Sequence, residues 1–409
     1  MKVLHISTRD RGGAAQAGIR LHKALLEQGV DSSFLFIKPS TKSIPNSTYV
    51  QRGAHNSRLL RAQIKFNIKK PIELHNRDLL EQAANNSQFE CFSFSTSSVD
   101  ITKTKAYQQA DIVHLHWIGG ILDYPSFFRQ CTKPVIWTLH DMNAFLGGFH
   151  YQGDVVRNKD NMMLMKLSEE TLYLRYKALQ DFGRLTIVTP SRWLMEASKQ
   201  SMLFNKYSHH HIYNGLDTNI FKFYDQAFAR SVFNIPEGPK MFLFVSDLLN
   251  NHRKGMDMLL EALDKMDEEE IIVCAVGDGV PLSSRKNINL ILLDSLQDER
   301  LISLLYASAD FVVIPSREDN LPNVMIEALA CGTPVISFPI GGLGEVLENG
   351  SNGVVAEQVT ADSLVLAMKE ALAGRFDFDR TNIIKLAHQQ FNITQQAKLY
   401  QQVYQKSLL

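Results

Sequence analysis

The chain lacks the features that mark disulfide-rich, membrane-spanning and nucleic-acid-binding proteins. Its four cysteines are scattered and form no C-x-x-C pair, which argues against a zinc site and indicates a reducing compartment. No segment approaches the roughly 18 apolar residues of a membrane span, and the first ten residues turn polar too soon for a signal peptide. Lysine plus arginine and aspartate plus glutamate both number 43, so no excess of positive charge favours nucleic acid. We therefore expect a cytoplasmic protein.

Two further patterns are missing: an internal repeat and the G-x-G-x-x-G fingerprint of dinucleotide-binding enzymes. Instead, short apolar runs alternate with helix-length segments, a pattern typical of parallel sheets covered by helices. The candidate strands are KVLHIS, SSFLFI, DIVHLHW, PVIWTLH and LTIVTP in the first half, and MFLFVS, IIVCAVG, NLILLD, FVVIPS, PVISF and GVVA in the second.

This many strands would make an unusually wide single sheet, because open twisted sheets rarely exceed about ten strands. Two Rossmann-like α/β domains are the simpler arrangement, and a chain of 409 residues is long enough for both. The alternating pattern breaks near residues 212–240, where NGLD and the stretch from Pro236 to Pro239 lie. We predict a first domain over 1–215, a second over 216–388 and a final helix over 389–409.

The most informative segment is IPSREDNLPNVMIEALACGTPVI, residues 314–336. It predicts a strand, an acidic turn, a helix and another strand, with Pro322 at the helix start, where its missing N–H costs nothing. Asn323 and Glu327 share one face near the helix N-terminus. Free amides and the helix dipole suit phosphate oxygens, and the Glu327 carboxylate suits two ribose hydroxyls. The segment predicts a nucleotide-sugar site; an ordinary βα unit with solvated acids is the alternative.

Two other segments fit phosphate chemistry. Gly12, Gly13 and Ala14 follow the first strand, where small residues let backbone amides approach a ligand, although a plain turn has the same composition. Arg253 and Lys254 precede a predicted helix, and a lysine there can neutralise a departing diphosphate. The alternative for this pair is a solvated turn.

Histidines cluster at predicted strands. His140 ends a strand, at the position where open α/β sheets gather ligands, although a satisfied histidine at a strand end would look the same. His114 and His116 alternate along another strand and therefore face one side of the sheet. No acid at ligand spacing accompanies them, so we expect no metal. The run from His209 to His211 is expected to be a surface loop or a strand end.

The segment from Arg58 to Arg77 carries six basic side chains against one acid, Glu73, interleaved with apolar residues. A helix here would be basic and amphipathic, which suits an anionic membrane surface or a lipid-linked acceptor. The alternative is a solvated helix that covers the first sheet. That alternative is favoured because charge runs are common on exposed faces.

Segment 314–336 resembles the acidic motif of the retaining glycosyltransferase family four, which has the GT-B fold. The family motif has two glutamates separated by seven residues, followed by Ala-Cys-Gly-x-Pro-Val. Here Asp319 and Glu327 have that spacing and ALACGTPVI follows; the first acid is aspartate, and the adjacent Glu318 could replace it. Further segments resemble the family in the family's order: STRDRGGAAQAGIRLHKAL, WTLHDMNAFLGGFHY, VTPSRWLMEASKQSMLF, YNGLDTNIF, RKGMDMLLEAL, AVGDG and YASADFVVIPS.

The resemblance implies two Rossmann-like domains whose parallel sheets face each other across a cleft, with the C-terminal helix crossing back to the first domain. It implies retaining, metal-independent hexosyl transfer without a cofactor, from a nucleoside-diphosphate sugar to a glycan or lipid-linked acceptor in surface polysaccharide biosynthesis. The implied catalytic residues are His140, Lys254 and Asp319. The implied donor-binding residues are Gly12, Gly13, Arg253, Lys254, Glu318, Asp319, Asn320, Leu321, Pro322, Asn323 and Glu327. The implied acceptor-binding residues are Ala14, His116, Trp117 and Asp141.

The chain departs from the family at a second position. Where members often have a Gly-Arg pair after the first strand of the second domain, this chain has Ser246 and Asp247, so the arginine's role is expected to fall on Arg253 or another residue. These departures keep open a nucleotide-binding partner protein that has lost catalysis. Within enzymes the alternatives are a GT-B sugar-nucleotide epimerase and a phosphorylase, the latter disfavoured because no pyridoxal-phosphate lysine segment is apparent.

Overall fold

The computed structural model describes residues 1–38, 43–266, 271–279 and 289–409. Within these ranges the chain divides into two compact units. The first contains Met1–Ile212 and Gln396–Leu409, and the second contains Tyr213–Gln395. Nowhere in the described ranges does a helix combine the length and the apolar composition needed to cross a membrane.

The first unit is built on a parallel sheet with seven strands in its described residues. The strands are β1 (Lys2–Ile6), β2 (Asp31–Phe36), β3 (Ser47–Tyr49), β4 (Ile112–Leu115), β5 (Val135–Thr138), β6 (Leu185–Thr189) and β7 (Ser208–His211). Their spatial order is β3-β2-β1-β4-β5-β6-β7, which is the Rossmann order with one added edge strand. The inner strands are apolar runs buried on both faces, as in parallel sheets generally.

Helices of the first unit cover the sheet and form its connections. They are α1 (Gly13–Glu27), α2 (Arg58–Lys65), α3 (Ile72–Ala83), α4 (Lys105–Gln109), α5 (Tyr124–Gln130), α6 (Asn143–Leu146), α7 (Gln152–Arg157), α8 (Met162–Leu179) and α9 (Arg192–Gln200), with a 3₁₀ turn at Ile101–Lys103.

The single basic helix considered for Arg58 to Arg77 is wrong, because the segment forms two helices, α2 and the start of α3. Asn67 between them has a left-handed φ of 56°, and Pro71 precedes α3, so the helical hydrogen-bond ladder cannot continue through this stretch. No residue of α2 is buried. The helix therefore lies on the surface of the first unit rather than in its core.

The second unit repeats the same topology with six strands among the residues described. They are β8 (Lys240–Leu248), β9 (Ile271–Asp278), β10 (Asn289–Leu293), β11 (Phe311–Ile314), β12 (Val335–Ser337) and β13 (Gly353–Val355). All pairs are parallel, in the order β10-β9-β8-β11-β12-β13.

The helices of the second unit pack on both faces of this sheet. They are α10 (Gln226–Val232), α11 (Met256–Asp264), α12 (Glu299–Ser308), α13 (Asn323–Ala330), α14 (Ala361–Leu372) and α15 (Arg380–Gln390), with 3₁₀ turns at His252–Lys254 and Leu343–Glu345. Two apolar clusters, one on each side of the sheet, form the core.

The last segment of the chain differs from the predicted helix over 389–409. The final helix, α16, is Ile393–Leu408, and residues up to Gln395 belong to the second unit. Backbone hydrogen bonds of 2.9 and 3.1 Å join Leu216 to Phe391 and Ile393, which holds this end of the segment in the second unit. Tyr400 and Tyr404 of α16 are fully buried in the first unit, where they reach Thr138 and His114.

Candidate active site

Each sheet has one point where the strand order reverses, between β1 and β4 in the first unit and between β8 and β11 in the second. Ligands of open α/β sheets bind beyond the carboxyl ends of the strands at such a point. In the second unit, Arg253 and Lys254 follow β8, and Glu318 and Asp319 follow β11. The topology thus brings together residues that are more than sixty positions apart in the sequence.

Two cations converge on one carboxylate at this point of the second unit. The ammonium Nζ of Lys254 lies 2.6 Å from Oδ2 of Asp319, and a guanidinium nitrogen of Arg253 lies 3.2 Å from the same oxygen. Burial opposes the charge of Asp319, but Lys254 and then Arg253 hold its pKa below the usual value. The three groups together carry one net positive charge, which suits an anionic ligand.

A second ion pair, which the sequence did not reveal, holds the two loops together. The Arg317 guanidinium binds the Asp257 carboxylate through two hydrogen bonds of 2.8 and 2.6 Å. The amide of Arg317 donates to the carbonyl of Arg253 at 2.8 Å, and the Arg253 side chain donates to the carbonyl of Glu318 at 2.9 Å. The cations and the acidic loop are therefore fixed relative to each other before any ligand binds.

Two glycines permit the close approach of the backbone around this site. A Cβ at Gly255, which has a φ of 76°, would lie 1.9 Å from the carbonyl oxygen of Pro315. A Cβ at Gly341, with a φ of 50°, would lie 1.8 Å from the carbonyl oxygen of Asp319. The amide of Gly342 also donates to the carbonyl of Asn320 at 2.6 Å. Side chains at these two positions would displace the acidic loop.

Helix α13 begins at Asn323, directly after Pro322, next to the acidic loop. Glu327 on this helix is 7% exposed and accepts a hydrogen bond of 2.9 Å from the hydroxyl of Tyr306 on α12. The amide of Asn214 donates to the Asn323 side chain at 3.2 Å. Leu321 packs into the core, so it offers a ligand its backbone rather than its side chain. Tyr306 and Asn214 are neighbours that the sequence did not predict.

The departure from the family pattern lies in β8, where Ser246 is buried and its hydroxyl donates to the carbonyl of Leu248 at 2.9 Å. Ser246 therefore contributes to the end of β8 rather than to the charge of the site. The guanidinium contact to Asp319 is made by Arg253, one of the residues expected to take the missing arginine's place.

In the first unit, the predicted glycine segment starts helix α1. Gly12 has a φ of 88° and directly precedes Gly13, the first helical residue, and Ala14 follows in the first turn. One face of α1 packs on the end of β4, where a Cβ at Gly18 would lie 3.1 Å from the His116 ring. The second turn of α1 and His116 are therefore neighbours at the carboxyl edge of this sheet.

Behind this edge lies a row of four histidines, which we name the histidine row: His5, His114, His116 and His140. The first three are buried and His140 is partly buried. His5 and His116 share a hydrogen bond of 2.9 Å, and His116 and His140 share one of 3.3 Å. His114 bonds the hydroxyls of Tyr404 and Thr138, each at 2.7 Å. Burial lowers the pKa of all four, and it lowers that of His140 to about 4. The row is therefore neutral at pH 7.

The histidine row also contains a geometrically close trio. Ring nitrogens of His5, His114 and His116 lie within 4.8 Å of one another. Both nitrogens of His114 and both of His116 already have hydrogen-bond partners, so a metal ion would have to displace those bonds. The expectation that the protein needs no metal remains a prediction.

In contrast to the neutral histidine row, Asp141 forms an ion pair with a charged histidine. The Asp141 carboxylate accepts from Nδ1 of His150 at 2.7 Å and from the indole nitrogen of Trp117 at 3.1 Å. Burial disfavours charge on His150, but the carboxylate of Asp141 raises its pKa to about 10. The charged ring then donates from Nε2 to the hydroxyl of Ser93 at 2.8 Å. Asp141 and Trp117 are thus held by a histidine that the sequence analysis did not single out.

Arg175 of α8 is fully buried and holds the loop that carries Asp141. Its guanidinium donates to the carbonyls of Asn143 and Gly147, to the carbonyl of Ser93 at 3.0 Å and to the hydroxyl of Ser95 at 3.0 Å. These bonds satisfy the buried arginine without a carboxylate. Nothing in the sequence distinguishes Arg175 from the other charged residues of its helix, because all its partners are distant.

Comparison with known proteins is consistent with this arrangement. Residues 239–374 match the family model described as glycosyl transferases group 1. D-inositol 3-phosphate glycosyltransferase from Mycobacterium sp. (strain JLS) is 26% identical over 273 residues, which cover 60% of this chain and 55% of that protein. The chain thus spans about 55% of the length of this curated relative.

Solved structures match over nearly the whole chain. Sucrose-phosphate synthase from Thermosynechococcus elongatus has a TM-score of 0.70 at 18% identity and covers 99% of this chain and 98% of its own. HepE from Anabaena, solved in complex with UDP-glucose, has a TM-score of 0.67 at 15% identity and covers 99% of this chain and 100% of its own. At these identities the likeness establishes the fold. The chain therefore has the GT-B fold, and its residues 239–374 are similar to the group 1 glycosyl transferases.

Proposed function

We propose that the protein is a retaining glycosyltransferase that uses a nucleoside-diphosphate sugar. The observation that carries the proposal is the convergence of Arg253 and Lys254 on Asp319, beside the N-terminus of the helix that bears Glu327. Two cations and a helix N-terminus suit a diphosphate, and a carboxylate on the same helix suits ribose hydroxyls. The complex of UDP-glucose with HepE supports a donor of this class.

In the proposed reaction, the bond between the sugar's anomeric carbon and the diphosphate breaks as a new bond forms to an acceptor oxygen on the same face. Lys254 and Arg253 stabilise the charge on the departing diphosphate, and an oxygen of that diphosphate takes the acceptor's proton. No metal and no cofactor takes part. Gly12 and Gly13 are proposed to contact the donor as well, and neutral His140 is proposed to bond a sugar hydroxyl.

The acceptor is proposed to be a glycan or a lipid-linked glycan used in surface polysaccharide synthesis. It would bind in the first unit at Ala14, His116, Trp117 and Asp141. Four free cysteines support a reducing, cytoplasmic location. We also propose a peripheral contact with the inner face of the membrane. The support is that α2 and the residues after it expose basic side chains together with Leu59, Phe66 and Ile68.

A thermal-shift panel of nucleoside diphosphates, followed by an assay for hydrolysis of the matching sugar nucleotide, tests the donor proposal. A ligand that binds only the folded state raises the unfolding temperature. We expect one diphosphate to raise it more than the others, and slow donor hydrolysis with a retained anomeric configuration. Binding without any hydrolysis or transfer would favour a partner protein that has lost catalysis, and conversion of the free sugar nucleotide to its epimer would favour an epimerase.

Membrane contact is tested separately, with vesicles that contain anionic lipid. Each basic residue near such a surface contributes about 1 kcal/mol, and salt screens the attraction. Binding should therefore fall with added salt and should fall further when Lys65, Lys69 and Lys70 are all replaced by glutamate. If wild type and the triple variant bind equally, or neither binds at low salt, α2 is a solvated helix and the membrane proposal is wrong.

A further inference from the structure

A cavity of about 400 Å³ lies beneath α2 in the first unit, at the lower end of the size range of ligand pockets. We name it the α2 cavity. One wall consists of apolar side chains from α2, from the start of α3 and from residue 99. These are Leu60, Ile64, Ile72 and Val99. The inner face of α2 therefore borders an open space instead of packing on the core, which agrees with the absence of buried residues in this helix.

The polar side of the α2 cavity is positively charged. Lys69 and Lys70 line it, and the single acid in its lining, Asp100, is already paired with Lys103 at 2.8 Å. Lys70 is paired with Asp78 at 2.6 Å. Among the described residues, no hydrogen bond or ion pair engages the ammonium group of Lys69. The cavity thus offers one uncompensated cation.

The side chain of His55 is a second, independent indication of a ligand site. It lines the cavity, and its Nδ1 is buried without a hydrogen-bond partner in the part of the chain that the structure describes. A buried polar atom without a partner costs free energy, so natural proteins usually provide one. A ligand atom in the cavity, such as a phosphate oxygen or hydroxyl, would supply it.

We propose that the α2 cavity binds an amphiphile with a phosphate head group and an aliphatic body. The head group would contact Lys69 and His55, and the aliphatic body would lie against Leu60, Ile64 and Val99. Within the described ranges, no tryptophan, tyrosine or phenylalanine lines the cavity, so its apolar wall is aliphatic and suits an aliphatic chain better than a nucleotide base. This amphiphile would be the lipid part of the glycan acceptor. That role rests on the proposed function.

Titration calorimetry with farnesyl monophosphate, kept below its micelle concentration, tests the proposal without vesicles and without turnover. Farnesol and inorganic phosphate are the two partial ligands. We expect the complete amphiphile to bind at least about tenfold more tightly than either, because only it fills both sides of the cavity. Equal binding of farnesol, equal binding of phosphate or no binding of the amphiphile would overturn the proposal.

Matched variants of α2 separate the cavity from the outer surface. Leu60→Asp and Lys69→Glu should each weaken binding about tenfold or more, because each removes a group that lines the cavity. Leu59→Asp and Lys65→Glu change the same residue types outside the lining and should alter affinity less than about twofold. If Leu59→Asp weakens binding as much as Leu60→Asp, the amphiphile partitions onto the exposed face and the cavity is not its site.

Two further comparisons distinguish binding in the cavity from loss of an apolar residue and from binding to a charged surface. Leu60→Trp should fill the cavity and block binding while it keeps an apolar residue at this position. Leu59→Trp is the control. Unaltered affinity of the Leu60→Trp protein for the amphiphile would contradict the proposal. On anionic vesicles, Lys65→Glu and Lys69→Glu should weaken binding alike, whereas the monomeric amphiphile should distinguish them. Failure of the donor titrations would refute the proposed reaction and leave the amphiphile result unchanged.

Discussion

The two units share one topology but place opposite electrostatics at the same point of their sheets. At the edge of the second sheet, Arg253, Lys254 and Asp319 form a charged contact. At the edge of the first sheet, the histidine row is mostly buried and neutral, and the charged pair of Asp141 with His150 already has further hydrogen-bond partners in Trp117 and Ser93. The Rossmann topology thus positions a site, and the side chains after the strands decide its chemistry.

This difference agrees with the two roles proposed for the units. A diphosphate requires fixed positive charge, which the second unit supplies. A neutral sugar hydroxyl requires hydrogen-bond donors and acceptors without charge, which neutral imidazoles supply. The comparison also predicts that the two units respond differently to acid and to substitution.

The largest predicted effect is a loss of stability of the first unit in mild acid. The pKa values of the four histidines are lowered in the folded state, so below the ordinary value of about 6.5 the unfolded chain binds more protons than the folded one. Their contribution to stability is present above pH 6.5 and is lost as the pH falls below that value. Between pH 6.5 and 5.5 the loss is about 1 kcal/mol for each histidine, or about 4 kcal/mol in all.

Denaturant titrations followed by tryptophan fluorescence measure this loss, because Trp117, Trp137 and Trp193 all lie in the first unit. His5→Phe should reduce the acid sensitivity by about 1 kcal/mol, whereas the same change at exposed His75 should not. Asp319 has a lowered pKa, so its contribution is lost only below its ordinary value near 3.8. His150 acts in the opposite direction, since its contribution is complete below 6.5 and is lost as the pH rises toward 10. A denaturation midpoint that does not change between pH 7 and 5.5 would contradict the account of the histidine row.

The next effect concerns the arginine that holds the Asp141 loop. Arg175→Met should destabilise the first unit by about 3 kcal/mol, because it leaves several buried carbonyl groups without donors, at about 1–3 kcal/mol each. Lys177→Met, two residues further along the same helix and exposed, is the control and should change stability by less than about 0.5 kcal/mol. Denaturation followed by tryptophan fluorescence again gives the measurement. Equal stability of the two variants would mean that the loop is not held by Arg175.

In the second unit, Lys254→Ala should lower turnover far more than stability. Removal of one such electrostatic contact raises the activation free energy by about 2–4 kcal/mol, because the charge on the departing diphosphate loses its partner. Lys265→Ala removes an exposed lysine of the same unit and should leave turnover unchanged. Normal turnover in a folded Lys254→Ala protein would remove this residue from the mechanism.

Much of the fold was predictable because buried parallel strands are continuous apolar runs. All the strand candidates form strands, whereas β3 and β7 were not predicted as such. Both are short edge strands of polar or aromatic residues, STY and SHHH, which carry little hydrophobic signal. The run from His209 to His211 was expected to be a loop or a strand end, and it lies in β7. The helical break at Asn67 was missed because a left-handed asparagine leaves no mark in hydrophobic periodicity.

For the site, the sequence identified segments but not their contacts. Lys254 and Asp319 were each predicted, and their 2.6 Å ion pair follows from the meeting of β8 and β11 at the centre of the sheet. Arg317, Tyr306 and His150 were missed because each acts through a partner distant in sequence or through burial. His150 lies in the same sequence segment as His140, but its charge depends on its contact with Asp141, which the sequence does not show.

The central claim, that the second unit binds a nucleoside diphosphate at the end of β11, is tested most directly by titration calorimetry with Glu327→Ala. The nucleoside diphosphate selected by the thermal-shift panel is the probe, and Glu348→Ala, at an exposed glutamate of the same unit, is the control. Hydrogen bonds to a charged group contribute about 1.5–3 kcal/mol, so Glu327→Ala should weaken binding at least about tenfold while the control binds like wild type. Unchanged affinity in a folded Glu327→Ala protein would place the ribose elsewhere and contradict the account.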